Sequence, residues 1–124
     1  MKKNTTNKKA LTAIELMENH IADPLSLEHL GKLTGVSRRQ LNRIFQKVFN
    51  KGTMEYYREI RLDKAKNLLR NSKMSIAEIS EVTGFCTPSH FSNAFLNVFA
   101  IPPSDYRKGS QFAFLGDPRF TEIV

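Results

Sequence analysis

The chain has 124 residues, of which 40% are hydrophobic and 25% are charged, and its formal net charge is +7. This length suits one domain or two very small ones, and one cysteine, Cys86, excludes an internal disulfide and a cysteine-rich zinc site. No apolar run approaches the ~18–20 residues of a membrane-spanning helix, and no signal-peptide core follows the first lysines. We therefore expect a cytoplasmic protein with a polyanionic partner.

The chain begins with a polar, lysine-rich segment, residues 1–9, which we expect to be a flexible leader. Apolar residues then recur at three- and four-residue spacing and predict a first helix over residues 10–22. Asp23 and Pro24 end it, since the residue before proline avoids the helical region.

A first helix-turn-helix is predicted next. Ser26 is a suitable N-cap for a short second helix that ends near Gly35. Ser37 and Gln40 have the spacing of a capping box that opens a third helix over residues 38–49. The second helix is predicted to bury three leucines: Leu27, Leu30 and Leu33.

A long fourth helix is predicted over residues 54–70, and the capping pair Ser75 and Glu78 opens a fifth. Thr87, followed by proline at the first helical position, starts a sixth helix over residues 88–99. The apolar residues of the fifth helix are Ile76, Ile79 and Val82, and those of the sixth are Phe91, Ala94, Phe95, Val98 and Phe99. A short helix from Pro103 to Tyr106 follows. No strand is needed, so the predicted class is all-α.

The same helical unit occurs twice, offset by 49 residues up to the glycine of the turn and by 50 after it. The first copy contains Leu27, Leu30, Leu33, Thr34, Gly35, Phe45, Val48, Phe49 and Tyr56. The second contains Ile76, Ile79, Val82, Thr83, Gly84, Phe95, Val98, Phe99 and Tyr106. Two helix-turn-helix units in one chain predict a monomer that binds two neighbouring DNA grooves. The predicted divisions are residues 1–9 (leader), 10–52 (first unit), 53–73 (connecting helix), 74–108 (second unit) and 109–124 (apolar tail).

Charge is segregated along the chain. Residues 10–36 sum to −3 and residues 74–86 to −2, whereas residues 37–51 sum to +5 without a single acid. Residues 53–73 add +3, and residues 87–99 carry no formal charge. An unbalanced basic helix inside a repeated unit favours a DNA-binding surface over an ordinary solvated helix face.

The third predicted helix carries the candidate base contacts. Arg39, Asn42 and Arg43 project from one face at three- and four-residue spacing. Arginine can pair with guanine and asparagine with adenine through two hydrogen bonds each. Lys47 lies one turn further and Lys51 follows the helix, so both are predicted to contact phosphates.

The sixth predicted helix has weaker chemistry. Ser89, His90 and Asn93 can reach bases, although His90 also fits a solvent-facing or locally bonded histidine. Without arginine or lysine, this helix is expected to depend more on DNA shape, water or deformation. The full set of predicted phosphate contacts is Ser37, Arg38, Lys47, Lys51, Arg61, Thr87, Ser92 and Arg107.

The length of the connecting helix supports concerted docking. About 17 to 20 residues at 1.5 Å per residue give ~25–30 Å. Successive turns of the major groove lie ~34 Å apart. One helix of this length can therefore hold two recognition helices about one turn apart on one face of the duplex.

The repeat resembles the DNA-binding domain of the AraC/XylS family of bacterial transcription regulators over about residues 10–108. The matching pieces are Leu30 to Phe49, Tyr56, Arg61-Leu62, Ala65 to Leu69, Ile76 to Ile79, Gly84-Phe85, His90 to Ser92, Phe95 and Pro103 to Arg107. The resemblance implies two helix-turn-helix units joined by a long helix, binding asymmetric promoter DNA and altering transcription, as an activator in our expectation. Members often have a basic residue where this chain has Asn93, and usually glycine at Asn50 and Ala100.

The resemblance also implies further partners. RNA polymerase is expected, and many family members carry a separate sensor domain that 124 residues cannot also contain. The chain is therefore either an excised domain or a small stand-alone regulator. The apolar tail, residues 109–124, either packs on the second unit, is flexible or binds a partner.

The sequence leaves two alternatives to specific DNA binding open. Nonspecific architectural DNA binding is favoured if affinity depends on salt but not on sequence, and a fragment acting mainly in protein interaction is a further alternative. An enzyme is not expected, because His20, His29 and His90 are scattered and no phosphate loop or metal-ligand spacing is present. No cofactor, metal or membrane partner is expected.

Overall fold

The computed structural model describes residues 6–114, with side chains described through Gly109. Within this range the chain forms seven α-helices and no strand, which confirms the all-α class. None of these helices is both long enough and apolar enough to cross a bilayer. The helices are α1 (Lys8–Glu18), α2 (Leu27–Thr34), α3 (Arg38–Phe49), α4 (Thr53–Asn71), α5 (Ile76–Val82), α6 (Pro88–Phe99) and α7 (Pro103–Phe114).

The helix limits follow the capping residues. α3 and α6 have the predicted bounds because Ser37 and Thr87 each accept a backbone N–H of the first turn. α1 begins two residues earlier than predicted because Asn7 caps it, and it ends at Glu18 rather than at residue 22. Lys8 and Lys9 of the predicted leader therefore belong to a helix. α7 continues to Phe114 instead of ending at residue 106, so the predicted tail begins as helix, and residues 115–124 lie outside the described residues.

The chain divides into two compact units, residues 1–61 and 62–124. In the first unit, α1, α2, α3 and the start of α4 surround one apolar cluster. Its aromatic part joins α3 to α4, with ring centroids 5.3 Å apart for Phe45 and Tyr56 and 4.6 Å apart for Phe49 and Tyr56. The buried members are Ala10, Ala13, Ile14, Met17, Leu30, Leu41, Phe45, Tyr56 and Tyr57.

Tyr57 fixes the connection between α1 and α2. Its hydroxyl donates to the carbonyl of His20 and accepts the backbone N–H of Leu25 at 3.0 Å. Burial raises the pKa of this phenol above its usual range. One buried side chain thus supplies hydrogen-bond partners for two backbone groups of the irregular segment between α1 and α2.

The second unit contains the rest of α4 with α5, α6 and α7. Phe91 and Phe95 of α6 pack in its centre, with the Phe95 and Tyr106 ring centroids 5.7 Å apart. The Nζ of Lys66 lies 4.7 Å from the centroid of Phe99, within cation–π range. The buried members are Leu62, Ala65, Leu69, Ile79, Phe85, Phe91, Ala94, Phe95 and Tyr106.

Both units build the helix end before the turn in the same way. The hydroxyl of Thr34 in α2 donates to the carbonyl of Leu30 at 2.7 Å, and that of Thr83 after α5 donates to the carbonyl of Ile79 at 2.6 Å. Each threonine is buried. A glycine with positive φ follows in each, at 78° and 80°. The repeat seen in the sequence is therefore a repeat of hydrogen bonds as well as of apolar residues.

Three residues predicted to be buried are exposed. Leu33 of α2 is 53% exposed and Val82 of α5 is 38% exposed. Those predictions were wrong because the inward face of α2 passes through Gly31 and Thr34, and that of α5 through Ser80, small or polar residues that a hydrophobic pattern does not count. Val98 of α6 is 42% exposed because it lies in the last turn, where Phe99 packs against the core instead.

Candidate nucleic-acid interface

The turn before α3 is held by a backbone hydrogen bond and by the side chain of Lys9. Gly35 adopts the left-handed conformation that a β-carbon disfavours, and the N–H of Val36 donates to the carbonyl of Gly31 at 3.0 Å. The Lys9 ammonium donates to the carbonyl of Thr34 at 2.7 Å and satisfies another free carbonyl of the α2 end. The start of α3 is therefore fixed relative to α1 and α2.

The Ser37 cap of α3 is simpler than predicted. Its hydroxyl accepts the N–H of Gln40 at 3.1 Å, which is one half of the predicted capping box. Among the described contacts of α3, the reciprocal bond from the Gln40 side chain to the Ser37 backbone is not found. Both halves are formed at Ser75 and Glu78 of α5. That hydrogen bonding holds the pKa of Glu78 below its usual value.

The outer face of α3 is basic and exposed. Arg38, Arg39, Arg43 and Lys47 are all exposed, while Leu41 and Phe45 on the opposite side are fully buried. A polar groove of about 590 Å³ runs along this face. Its lining is Asn7, Ser37, Arg39, Gln40, Arg43, Ile44, Lys47 and Val48. The cations therefore project into solvent from a helix that is held to the core by its opposite side. A polyanion such as DNA can bind to a surface of this kind.

Two predicted contacts of the first unit are engaged within the protein. Asn42 is half-buried, and its Oδ1 accepts the N–H of Thr53 at 3.1 Å, which caps the start of α4. The Lys51 ammonium donates to both carboxylate oxygens of Glu59 at 2.9 Å. Both side chains join α3 or its end to α4. Local spacing does not indicate these roles, because the partners are eight and eleven residues away.

Arg61 and Arg107, two predicted phosphate contacts outside the two recognition helices, are also half-buried. Arg107 of α7 donates from Nε to the carbonyl of Leu69 at 3.0 Å and from Nη2 to that of Ser72 at 3.4 Å, so it binds carbonyls at the end of α4. The charge of Arg61 acts on the Tyr57 phenol and opposes the rise of its pKa that burial causes. These two predicted phosphate contacts therefore have interactions with the protein.

α6 presents a neutral polar surface at its start. Thr87 accepts the N–H of His90 at 3.0 Å, and Ser89, His90 and Asn93 are exposed while Ser92 is half-buried. The His90 ring meets Phe85 edge to face, with centroids 5.3 Å apart. This ring contact orients the His90 side chain, which is still exposed to solvent.

The structure also shows two surface residues that are not among the predicted contacts. Leu96 of α6 is 43% exposed, and Asn7 lines the groove along α3. Leu96 falls three residues after Asn93, a spacing that places both on one helix face and was available in the sequence. Among the described residues, no three His, Cys, Asp or Glu side chains lie close enough to hold a metal ion.

Comparison with known proteins defines the class. A family model described as a helix-turn-helix domain matches residues 30–109. The HTH-type transcriptional regulator GbdR of Pseudomonas aeruginosa is 40% identical over 114 residues, which cover 92% of this chain and 30% of GbdR. The regulatory protein SoxS of Salmonella typhimurium is 35% identical over 96 residues, covering 77% of this chain and 90% of SoxS. The chain thus spans less than a third of GbdR but nearly all of SoxS.

Solved structures share the fold. A transcriptional regulator from Chromobacterium violaceum, of the AraC-type DNA-binding domain-containing proteins, is 38% identical with a TM-score of 0.79, covering 82% of this chain and 91% of that one. The DNA-binding domain of AdpA, solved with a target DNA, has the same TM-score at 21% identity and covers 85% of this chain and 95% of that one, which is a likeness of fold alone.

The chain belongs to the AraC-type family of helix-turn-helix transcription regulators, as the resemblance in its sequence indicated. Proteins of this class bind DNA and regulate transcription. The family therefore favours this function over nonspecific architectural binding and over a module that acts only in protein interaction.

Proposed function

We propose that α3 and α6 each enter a major groove of an asymmetric promoter site, and that α3 contributes most of the sequence discrimination. The observation that carries the proposal is the outer face of α3, where Arg39 and Arg43 are exposed on a helix anchored by Leu41 and Phe45. Each arginine can donate two hydrogen bonds to a guanine.

The phosphate contacts divide by their surroundings. Arg38 and Lys47 are exposed beside the base-contacting arginines and have no competing acid on α3, so we assign both to phosphates. Ser37 and Thr87 cap the two helix starts, where backbone N–H groups also favour an anion, and Ser92 lies about one turn into α6. A phosphate contact stays a prediction for Lys51, Arg61 and Arg107. Each side chain would have to contact a phosphate in addition to its interaction with the protein. Asn42 likewise keeps a base contact only through its amide donors, because its oxygen is occupied.

The neutral surface of α6 supports a different contribution. Ser89, His90 and Asn93 are exposed and can make neutral hydrogen bonds to bases. Such a helix adds little to salt-dependent affinity, since counterion release requires cationic contacts. We therefore propose that it tunes specificity through local contacts and DNA shape.

The wider context is proposed from the family. We expect a cytoplasmic regulator that binds promoter DNA beside RNA polymerase and activates transcription. A sensor domain on the same polypeptide or on a partner fits the match to less than a third of GbdR, whereas SoxS is matched nearly whole. No enzymatic step is assigned to the chain.

The test is selection of binding sites from random duplexes by the full chain. We expect two preferred boxes about 10 base pairs apart, with guanine prominent in the box that α3 contacts. If the chain retains duplexes to a degree that depends on salt but not on their sequence, the protein is instead a nonspecific architectural DNA-binding protein. Retention of no duplex at all, with the chain folded, would reject DNA binding.

A further inference from the structure

Leu96 is a large apolar side chain on the outer side of α6. It lies three residues after Asn93 and seven after Ser89, so the three side chains form one stripe along the helix. Phe91 and Phe95, which are fully buried, mark the opposite side. Leu96 is 43% exposed, and the stripe that contains it is otherwise polar.

The dimensions of this stripe suit a few base pairs. Seven residues at 1.5 Å per residue give ~10 Å along the helix. Stacked base pairs are ~3.4 Å apart, so the stripe spans about three of them.

The chemistry of the stripe restricts what Leu96 can contact. α6 contains no Lys, Arg, Asp or Glu, so its affinity for DNA has to come from neutral contacts. Phosphates and most base edges are polar and gain nothing from a leucine. The apolar group that the major groove offers is the 5-methyl of thymine, which alkyl side chains contact in direct readout.

Val98 provides the contrast within the same helix. It is 42% exposed, almost the same as Leu96, but it lies seven residues after Phe91 and three after Phe95. It therefore belongs to the side of α6 that faces the core, and its exposure reflects the end of the helix. Leu96 is the exposed apolar residue of α6 on the DNA-facing stripe.

We infer that Leu96 packs against the 5-methyl group of a thymine and makes that base a determinant of the α6 box. This inference rests on the proposed insertion of α6 into a major groove. It assigns specificity to the uncharged helix α6 by methyl contact, whereas the basic helix α3 uses arginine hydrogen bonds.

The experiment uses the full chain and the duplex obtained by selection. Dissociation constants are measured with each thymine of either box replaced in turn by deoxyuridine, which removes only the methyl group. The proteins are the unsubstituted chain, Leu96→Ala and the matched control Val98→Ala. We expect one deoxyuridine of the α6 box to weaken the unsubstituted chain about fourfold, the value of one buried CH₂ group.

The variants then identify the residue. Leu96→Ala is expected to bind the unmodified duplex about fourfold to tenfold more weakly and to be insensitive to that deoxyuridine, while Val98→Ala keeps the full sensitivity. The inference is overturned if no deoxyuridine in the α6 box weakens the unsubstituted chain, or if Leu96→Ala retains the sensitivity. The first of these results does not depend on how well a variant folds.

The two proposals fail in different ways. If selection yields two preferred boxes but removal of their thymine methyl groups does not change the affinity, the inference about Leu96 is wrong and sequence-specific binding is still supported. If selection yields no preferred sequence, the proposed function and the role of Leu96 fail together.

Discussion

The two helix-turn-helix units share a scaffold and differ in the surface that they present. Each has a buried threonine bonded to the preceding turn, a left-handed glycine and a capped second helix. α3 nevertheless carries four cations on its 12 residues, and α6 carries none on the same number. The core and the caps therefore specify the motif, while the outward residues are free to take on different chemistry.

The scaffolds also differ locally in the tightness of the turn. A β-carbon on Gly31 would lie 2.7 Å from the carbonyl oxygen of Val36, whereas the equivalent Ser80 already carries one. The second turn contains one extra residue, Cys86, before its cap. At the other end of the recognition helices, Asn50 and Ala100 both adopt positive φ, 59° and 61°. Asparagine tolerates this conformation better than alanine does.

The largest effect is expected in α4, which supplies Tyr56 to one core and Ala65 to the other. Ala65→Pro removes a helical hydrogen bond and adds a clash, at a cost of ~3 kcal/mol or more. We expect the second unit to unfold at a lower temperature than the first. DNase protection should then be limited to the bases that α3 contacts. Protection of both boxes at full affinity would show that an intact α4 is not required.

A smaller loss of stability is expected at the tight turn. Gly31→Ala should lower the free energy of unfolding by ~1–3 kcal/mol, because the Val36 carbonyl is backbone and has to shift. Ser80→Ala is the matched control and should cost less, since no new β-carbon is introduced. Urea denaturation of both variants measures the difference, and equal losses would contradict the contrast between the turns.

The DNA surfaces are compared by removing one side chain from each. Arg43→Ala should cost ~1–3 kcal/mol on the selected site and relax the preference at one base pair. His90→Ala should cost less, because a neutral hydrogen bond is weaker than a bidentate arginine pair. Titrations on selected and random duplexes test both variants. Equal weakening of the two duplexes by Arg43→Ala would remove its assignment to a base.

Salt dependence separates the phosphate contacts of the two helices. Lys47→Ala should weaken binding to all sequences about equally and reduce the slope of log K against log salt by ~0.9. Ser92→Ala, on the uncharged α6, should leave the slope unchanged. Affinities measured between low and moderate salt give the slopes, and an unchanged slope for Lys47→Ala would place its ammonium away from phosphate.

The smallest expected effect is a gain in stability. Ala100→Gly relieves a β-carbon held at positive φ and should raise the free energy of unfolding by ~0.5–1 kcal/mol after the entropy cost of glycine. Asn50→Gly should gain only a few tenths of a kcal/mol, because asparagine is already suited to this conformation. Thermal melting compares the two, and a larger gain at Asn50 would contradict the reasoning.

Local sequence patterns predict the order of the helices, the repeat and the basic face of α3. Periodicity and capping act within three or four residues, so α3 and α6 were predicted with the bounds that the structure shows. The exposure of Arg39 and Arg43 followed from the opposite position of Leu41 and Phe45 on one helix.

Which positions of a helix are covered by its neighbours depends on how the helices pack. Leu33 and Val82 are apolar but exposed, because contact with the rest of the unit falls on Gly31 and Ser80. Asn42, Lys51 and Arg107 found partners 8 to 38 residues away, and those bonds depend on how helices pack rather than on local spacing. Hydrogen bonding between distant segments requires the folded chain, and no pattern within one helix encodes it.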